Sequence, residues 1–331
     1  MSADWTAAAV PDQTGKTIVI TGATSGLGLS SAHVLAGAGA RVLMAARNAD
    51  KATRARDEVA SSARGAEPEV VALDLADLGS VRTAAADIAK RVDAVDVLMN
   101  NAGVMALPLG RTAEGFEMQM GTNHFGPFAL TALLLPQLLA TDAARVVTTS
   151  SGGHKVGRMR WHDLHWRNSY RRWGAYAQSK LANLLFAYEL DRRASAARTS
   201  LVSVAAHPGY ASTHLQAAGP EASGRRLMGR VMALGNRLLA QSADDGALPQ
   251  LYAATMPDVS GGDYFGPGRL MELRGAPTKV TASAAARDRA SASRLWGVSE
   301  RLTGVSFAWP GEEADPDASP VADADETPAS A

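Results

Sequence analysis

A tyrosine and a lysine four residues apart, in the run Tyr176-Ala177-Gln178-Ser179-Lys180, are the side chains best suited to moving a proton. The Ala- and Leu-rich surroundings predict a helix, and residues four apart share one helix face. A free phenol has a pKa of about 10, too high for a base near neutrality, and a neighbouring ammonium lowers it by favouring the phenolate. Taken alone, Lys180 is equally the solvated charge that most helical lysines are. Upstream, Arg145 to Gly152 (RVVTTSSG) ends a β-rich run in two serines, Ser150 and Ser151, either of which could hydrogen-bond a reacting oxygen. A different chemistry is suggested by Thr21-Gly22-Ala23-Thr24-Ser25-Gly26-Leu27-Gly28, which follows an apolar run and opens an Ala/Leu stretch. Glycines let a backbone turn sharply and approach a pyrophosphate, whose charge the N-terminus of the next helix holds. The G-x-x-x-G-x-G spacing departs from the commoner dinucleotide form, and a turn serving strand–helix packing alone would also use glycine. The strand before it and the helix after it favour cofactor binding.

These groups need elements to hold them. Short β-rich runs occur at Thr17–Thr21, Arg41–Ala45, Val70–Leu73, Val95–Met99, Arg145–Thr149, Leu201–Ala205 and near Tyr264–Phe265, with helix-spaced Ala- and Leu-rich stretches between them. Several runs are apolar on both faces, as in a parallel sheet covered by helices on each side. The alternation predicts an α/β fold, a single Rossmann-type doubly wound parallel sheet of about seven strands with helices on both faces. Right-handed crossovers then bring the C-terminal strand ends, and the chemistry, to one edge. Residues 1–14 read as a loose lead-in, 15–310 as one domain, and 311–331 as a disordered acidic tail.

Composition narrows the function classes. The chain has 331 residues, with 33 Lys+Arg against 33 Asp+Glu. The zero net charge is a cancellation, because residues 311–331 hold seven acids and no base, leaving the body at +7 and the tail at −7. With no cysteine, disulfides, thiolate nucleophiles and Cys-ligated metals are excluded. The histidines form no strong metal pattern, so no metal site is expected. No apolar run approaches the roughly 18–20 residues of a membrane span, and the N-terminus lacks signal-peptide order, which predicts a cytoplasmic protein without a transmembrane anchor. The modest basic excess comes without a nucleic-acid recognition motif, and no nucleic acid is expected as partner.

The ordered motifs resemble those of the short-chain dehydrogenase/reductase family. TGATSGLG matches the family's cofactor turn, and Asn100-Asn101-Ala102-Gly103 its NNAG element. Tyr176 to Lys180 match its YxxxK pair, and Pro208-Gly209 its PG turn, so the resemblance covers about residues 15–275. It implies hydride transfer to or from a nicotinamide, whose oxidised, cationic form would further lower the Tyr176 pKa. It implies Tyr176 as general acid/base, Lys180 holding the nicotinamide ribose, Ser151 on the substrate oxygen, and Asn123 anchoring a relay water. Gly22, Thr24, Ser25, Gly26, Leu27 and Gly28 would cradle the cofactor, Asp74 and Leu75 would flank the adenine, and Asn101, Ala102 and Gly103 would line the adenosine ribose. Pro208, Gly209 and Thr213 would meet the nicotinamide; Thr213 could equally cap a following helix. Ser151 precedes Tyr176 by 25 residues. This long insertion, and Ser179–Asn183 (SKLAN), are similar to the retinol-dehydrogenase-like branch.

Cofactor choice turns on the end of the second strand, Ala45-Ala46-Arg47-Asn48. An acid there would accept bonds from a free ribose 2′-hydroxyl, whereas Arg47 can bind a 2′-phosphate. NADP(H) is therefore expected over NAD(H), with Asn48 as a further donor. The segment 214–241, which contains Leu227–Leu239, is a lid in the family, and its Met and Leu side chains suit a lipophilic carbonyl or alcohol substrate. An amphipathic helix packed on the core would show the same pattern. The competing function is an NAD(P)H-binding sensor or regulator without turnover. A homo-oligomer is compatible with the family resemblance.

Overall fold

A computed structural model describes residues 5–210 and 241–311. The sheet runs β3-β2-β1-β4-β5-β6-β7-β8. Its strands are β1 (Thr17–Thr21), β2 (Arg41–Ala46), β3 (Glu69–Ala72), β4 (Val97–Asn100), β5 (Arg145–Thr149), β6 (Val202–Ala206), β7 (Tyr264–Arg269) and β8 (Arg274–Lys279). Pairing is parallel through β7, and β8 returns antiparallel to it. The expected single doubly wound sheet of about seven parallel strands is borne out, and among the described residues β8 adds an antiparallel edge to it. The run Arg-Gly-Ala-Pro-Thr-Lys shows neither alternation nor β-branched enrichment, so only its pairing with β7 makes it a strand.

Alternate residues of the central strands are buried on opposite faces. Val19, Leu43, Leu98 and Val146 meet α3 (Leu78–Arg91), α5 (Gly126–Leu133), α7 (Arg172–Ala196) and α9 (Arg289–Thr303). Ile18, Ile20, Met44 and Val147 meet α1 (Gly26–Gly37), α2 (Ala49–Ala60) and α8 (Ala243–Thr255). A strand buried on both faces has no polar side to alternate with, hence the continuous runs TIVIT and RVLMA. Between β4 and α5 the chain passes through the single turn α4 (Met118–Met120) and a π-helical turn, Gly121–Phe125, and α6 (Leu135–Leu139) leads back to β5. The lead-in is tied down from Trp5 onward. Its indole packs edge-on to Tyr252 of α8 at 5.2 Å, and the Gln13 amide donates to the Ala38 carbonyl at 2.8 Å. Of the expected lid and acidic tail, all but Gln241 and Gly311 lie outside the described residues.

The strand order reverses between β1 and β4, where an open α/β sheet forms its ligand crevice. The ends of β1, β2, β3, β4, β5 and β6 carry, in turn, the glycine turn, Arg47, Asp74, Asn101, Ser151 and Pro208.

Candidate active site

The glycine turn brings the start of α1 hard against the end of β1. Gly22 and Gly26 take left-handed φ values of 69° and 54°. A Cβ on Gly28 would lie 2.3 Å from the Gly22 carbonyl oxygen and 2.6 Å from Asn101 Nδ2, so the turn closes only without a side chain there. Ser25 is the N-cap residue of α1, and its side chain makes no capping bond. Thr24 and Leu27 are half-buried beside it. Asn101 ties β4 to this turn by donating from Nδ2 to the Thr21 carbonyl at 2.8 Å. Thr21 Oγ1 accepts from the amides of Asn101 and Ala102, both at 3.0 Å. Asn101 Oδ1 is buried with no hydrogen-bond partner among the described residues. A side-chain-free cradle, the N-terminus of a twelve-residue helix and an unspent acceptor fit a dinucleotide with its pyrophosphate over the turn.

The far rim holds Arg47, 74% exposed, with Nη1 3.8 Å from Asp74 Oδ2. That exposed pair is weakly held and leaves the guanidinium able to turn. Asn48 Oδ1 accepts from the Lys51 amide at 2.8 Å and caps α2. It is therefore a helix cap first, with only its amide nitrogen end suited to donating to a phosphate. Asp74 Oδ1 accepts from the Ala76 amide at 2.9 Å, and Leu75 is buried in the core.

Tyr176 and Lys180 lie on one face of α7. Lys180 is 5% exposed, and Nζ donates to the Thr149 carbonyl at 3.0 Å while sitting 6.0 Å from the Tyr176 ring centroid. Burial pulls its pKa down to about 8. Burial also pushes Tyr176 above the ordinary phenol value, opposed by a hydrogen bond from Ser151. The lowered phenol expected from the sequence is not produced by these side chains: desolvation outweighs the stabilisation of the phenolate. The serines divide the work. Ser150 Oγ donates to the Lys180 carbonyl at 2.8 Å and is buried as part of the scaffold. Ser151 starts the turn Gly152–Val156, where its Oγ accepts from the Gly153 amide at 3.1 Å and reaches the phenol.

Asn123 sits in the π-helical turn, and both ends of its amide are used. Oδ1 accepts from the Val104 amide at 2.7 Å, and Nδ2 donates to the Val104 carbonyl and to Ser179 Oγ, both at 2.9 Å. This side chain therefore fixes the loop after β4, at Gly103 and Val104, against α7. A Cβ on Gly103 would lie 3.2 Å from Lys180 Nζ, which measures how closely that loop passes the ammonium.

The insertion before Tyr176 braces these parts. Trp166 is buried against Gly174, and Tyr170 Oη donates to the Leu107 carbonyl at 2.9 Å. The His165 ring stacks on Phe116 at 5.3 Å, and burial lowers its pKa to about 4. On the other side, Pro208 and Gly209 follow β6. Gly209 has φ 66°, and a Cβ there would lie 2.5 Å from the Leu273 carbonyl. Thr213 lies outside the described residues.

Further side chains, outside the residues expected at the site, hold it together. Asn183 Nδ2 donates to the same Thr149 carbonyl as Lys180, at 2.9 Å. Its place three residues after the lysine is the signal that could have found it. Gln250 of α8 joins Ser31 of α1 to Thr149 of β5, at 2.8 and 3.1 Å. Nothing local in its sequence marks it.

Residues 16–223 match the family model described as short chain dehydrogenase. The chain belongs to the short-chain dehydrogenase family. Within it, this short-chain dehydrogenase falls in the retinol-dehydrogenase-like branch. It is 36% identical over 298 residues to "Retinol dehydrogenase 12" of Mus musculus, covering 88% of each chain. It is also 36% identical over 306 residues to "Polyprenol dehydrogenase" of Mus musculus, covering 89% of this chain and 86% of the other. A crystal structure of an uncharacterised protein from Mycobacterium paratuberculosis is 43% identical, with a TM-score of 0.76 over 92% of this chain and 100% of that one. This short-chain dehydrogenase is an NAD(P)-dependent oxidoreductase that interconverts carbonyl and alcohol groups. Among the described residues, no helix is long and apolar enough to cross a membrane.

Proposed function

We propose that the enzyme uses NADP(H) in preference to NAD(H) and acts on a lipophilic carbonyl compound or alcohol, with Tyr176 as the general acid/base. The observation that carries this reading is the gathering of three side chains: the buried Lys180 ammonium lies 6.0 Å from the Tyr176 ring, and a Cβ on Gly153 would lie 3.3 Å from that ring and 3.6 Å from Ser151 Oγ. When bound, the nicotinamide cofactor supplies or takes up the hydride. Gly22 to Gly28, Asn101 to Gly103 and the Pro208–Gly209 turn would hold it, with Thr213 assigned to the carboxamide. Asp74 and Leu75 would lie by the adenine, and Arg47 and Asn48 would meet a 2′-phosphate.

In the reducing direction Tyr176 gives its proton to the substrate oxygen, which suits a phenol that burial keeps protonated. Ser151 Oγ accepts from the Gly153 amide and keeps its own proton free to donate to the phenol or to the substrate oxygen. Lys180 would stabilise the phenolate left behind and hold the ribose, and Asn123 keeps the Gly103 loop and α7 in place for both. A lipophilic substrate is supported by the exposed Trp173, one turn before the tyrosine with ring centroids 6.2 Å apart. The names of the retinol and polyprenol dehydrogenases point the same way. A sensor without turnover would not require Ser151, Tyr176 and Lys180 together.

The test is a panel of apolar aldehydes, ketones and alcohols assayed with both cofactors. Tyr176→Phe should bind NADPH as the wild type does and lose turnover by two or more orders of magnitude. A Tyr176→Phe enzyme with undiminished kcat, or tighter binding of NADH than NADPH by the wild type, overturns the corresponding half of the proposal.

A further inference from the structure

The tip of the β7–β8 hairpin holds an unusual backbone. Leu270, Met271 and Glu272 have φ values of 50°, 55° and 66°, three consecutive side-chain-bearing residues in the left-handed region. L-residues visit that region singly and at a cost. Burial does not compensate at the first two, since Leu270 is 61% and Met271 90% exposed. Glu272 is the residue of the three that is held. Its Oε2 lies 2.9 Å from Lys155 Nζ and 3.3 Å from His207 Nε2.

Those two partners belong to the loops that frame the chemistry. Lys155 lies in the turn that Ser151 begins. His207 directly precedes Pro208–Gly209, and its Nδ1 accepts from the Gly209 amide at 3.2 Å. An acceptor Nδ1 puts the proton of the neutral ring on Nε2, the atom facing Glu272. The 3.3 Å approach is off-axis rather than a well-aligned hydrogen bond, so Lys155 is the firmer tie and His207 a close electrostatic neighbour. Backbone contacts bring the same parts together, with the Tyr210 amide donating to the Leu273 carbonyl at 3.0 Å. His154 holds the opposite side of the serine turn. Its Nε2 accepts from the Ser283 amide at 3.3 Å and its Nδ1 donates to the Ser151 carbonyl at 2.6 Å.

We propose that Glu272 is a positioning residue for the reaction: its carboxylate fixes the Ser151 turn relative to the Pro208–Gly209 turn through Lys155 and His207. This rests on the oxidoreductase reading above. The left-handed backbone at the tip is the conformation that delivers the carboxylate to both partners.

Glu272→Gly separates backbone from side chain, because it relaxes the left-handed conformation while removing the side chain that carries the carboxylate. With the best carbonyl substrate of the panel, Glu272→Gly should keep the wild-type Tm or exceed it, and keep the Kd for NADPH. Its kcat should fall about tenfold or more, since small misplacements of reacting groups are costly. Glu272→Gln, which keeps one acceptor oxygen at the same reach, should recover most of the lost rate. Lys155→Met should lose kcat similarly, and the Glu272→Gly/Lys155→Met double variant should lose little more than either alone, as expected of two ends of one contact. Unchanged kcat in Glu272→Gly, or losses that multiply in the double variant, overturns the assignment. A wild-type enzyme that turns over no carbonyl or alcohol with either cofactor refutes the function itself and takes this inference with it.

Discussion

Lys180 should be a burden on the fold that catalysis requires, and replacing it tests this directly. In an unfolded chain a lysine titrates near 10.5, and in the folded enzyme burial lowers Lys180 to about 8. Each tenfold change in proton affinity corresponds to about 1.36 kcal/mol, so holding the charged form inside the protein at pH 7 costs about 3 kcal/mol. Lys180→Met keeps the length and apolar stem of the side chain and removes the charge. It also removes a donor to the Thr149 carbonyl, worth about 1 kcal/mol, although that carbonyl keeps its bond from Asn183. The net expectation at pH 7 is a gain of about 2 kcal/mol for Lys180→Met, measured without cofactor by urea unfolding, together with loss of turnover. The sign follows from proton binding. Between about pH 8 and 10.5 the unfolded chain holds a proton that the folded one has released, so the stability of the wild type rises relative to the variant. The advantage of Lys180→Met is therefore complete below pH 8 and fades as the pH approaches 10. A variant less stable than wild type at pH 7, or a difference that does not narrow by pH 10, would refute the reasoning.

Three other outcomes follow from the same structure. Gly28→Ala places a Cβ 2.3 Å from a backbone oxygen, which should cost about 1–3 kcal/mol of stability by overpacking and weaken NADPH at least about tenfold in a fluorescence titration. Arg47→Ala should raise the Kd for NADPH about tenfold or more, the worth of a charge-assisted hydrogen bond, and leave that for NADH nearly unchanged. Acid should destabilise the enzyme before its carboxylates titrate, because burial holds His124 at about 3 and His165 and His207 at about 4. Below about pH 6.5 the unfolded chain takes up protons that these rings refuse, so stability falls with pH. His124 alone should contribute about 2 kcal/mol of loss between pH 7 and pH 5, absent from His124→Asn in matched urea titrations.

Much of the frame was legible because its signals are local. The β-branched runs TIVIT and RVVTT match β1 and β5 residue for residue, while β3, β4 and β6 differ by one or two residues at their ends. The four ordered motifs indicated which strand ends would meet. Ser150 and Ser151 could not be told apart locally, since both hydroxyls follow the same strand. Packing separates them: Ser150 turns inward to the Lys180 carbonyl, and Ser151 caps the turn whose Gly153 passes beside the Tyr176 ring. The hairpin ending in β8 left no pattern, because its strand depends on β7 and its tip on contacts with Lys155 and His207 from distant parts of the chain.

The parallel α/β order, the glycine turn, and a tyrosine and lysine on one helix face are all written into the local order of residues. These follow from hydrophobic period, glycine's missing side chain and the pitch of a helix, all properties of neighbours along the chain. Tertiary structure alone decided the protonation chemistry. Burial raises the Tyr176 pKa and lowers that of Lys180, and burial is a sum over residues brought together from the whole fold. The same is true of the Glu272 contacts, which join positions 155, 207 and 272 at one carboxylate.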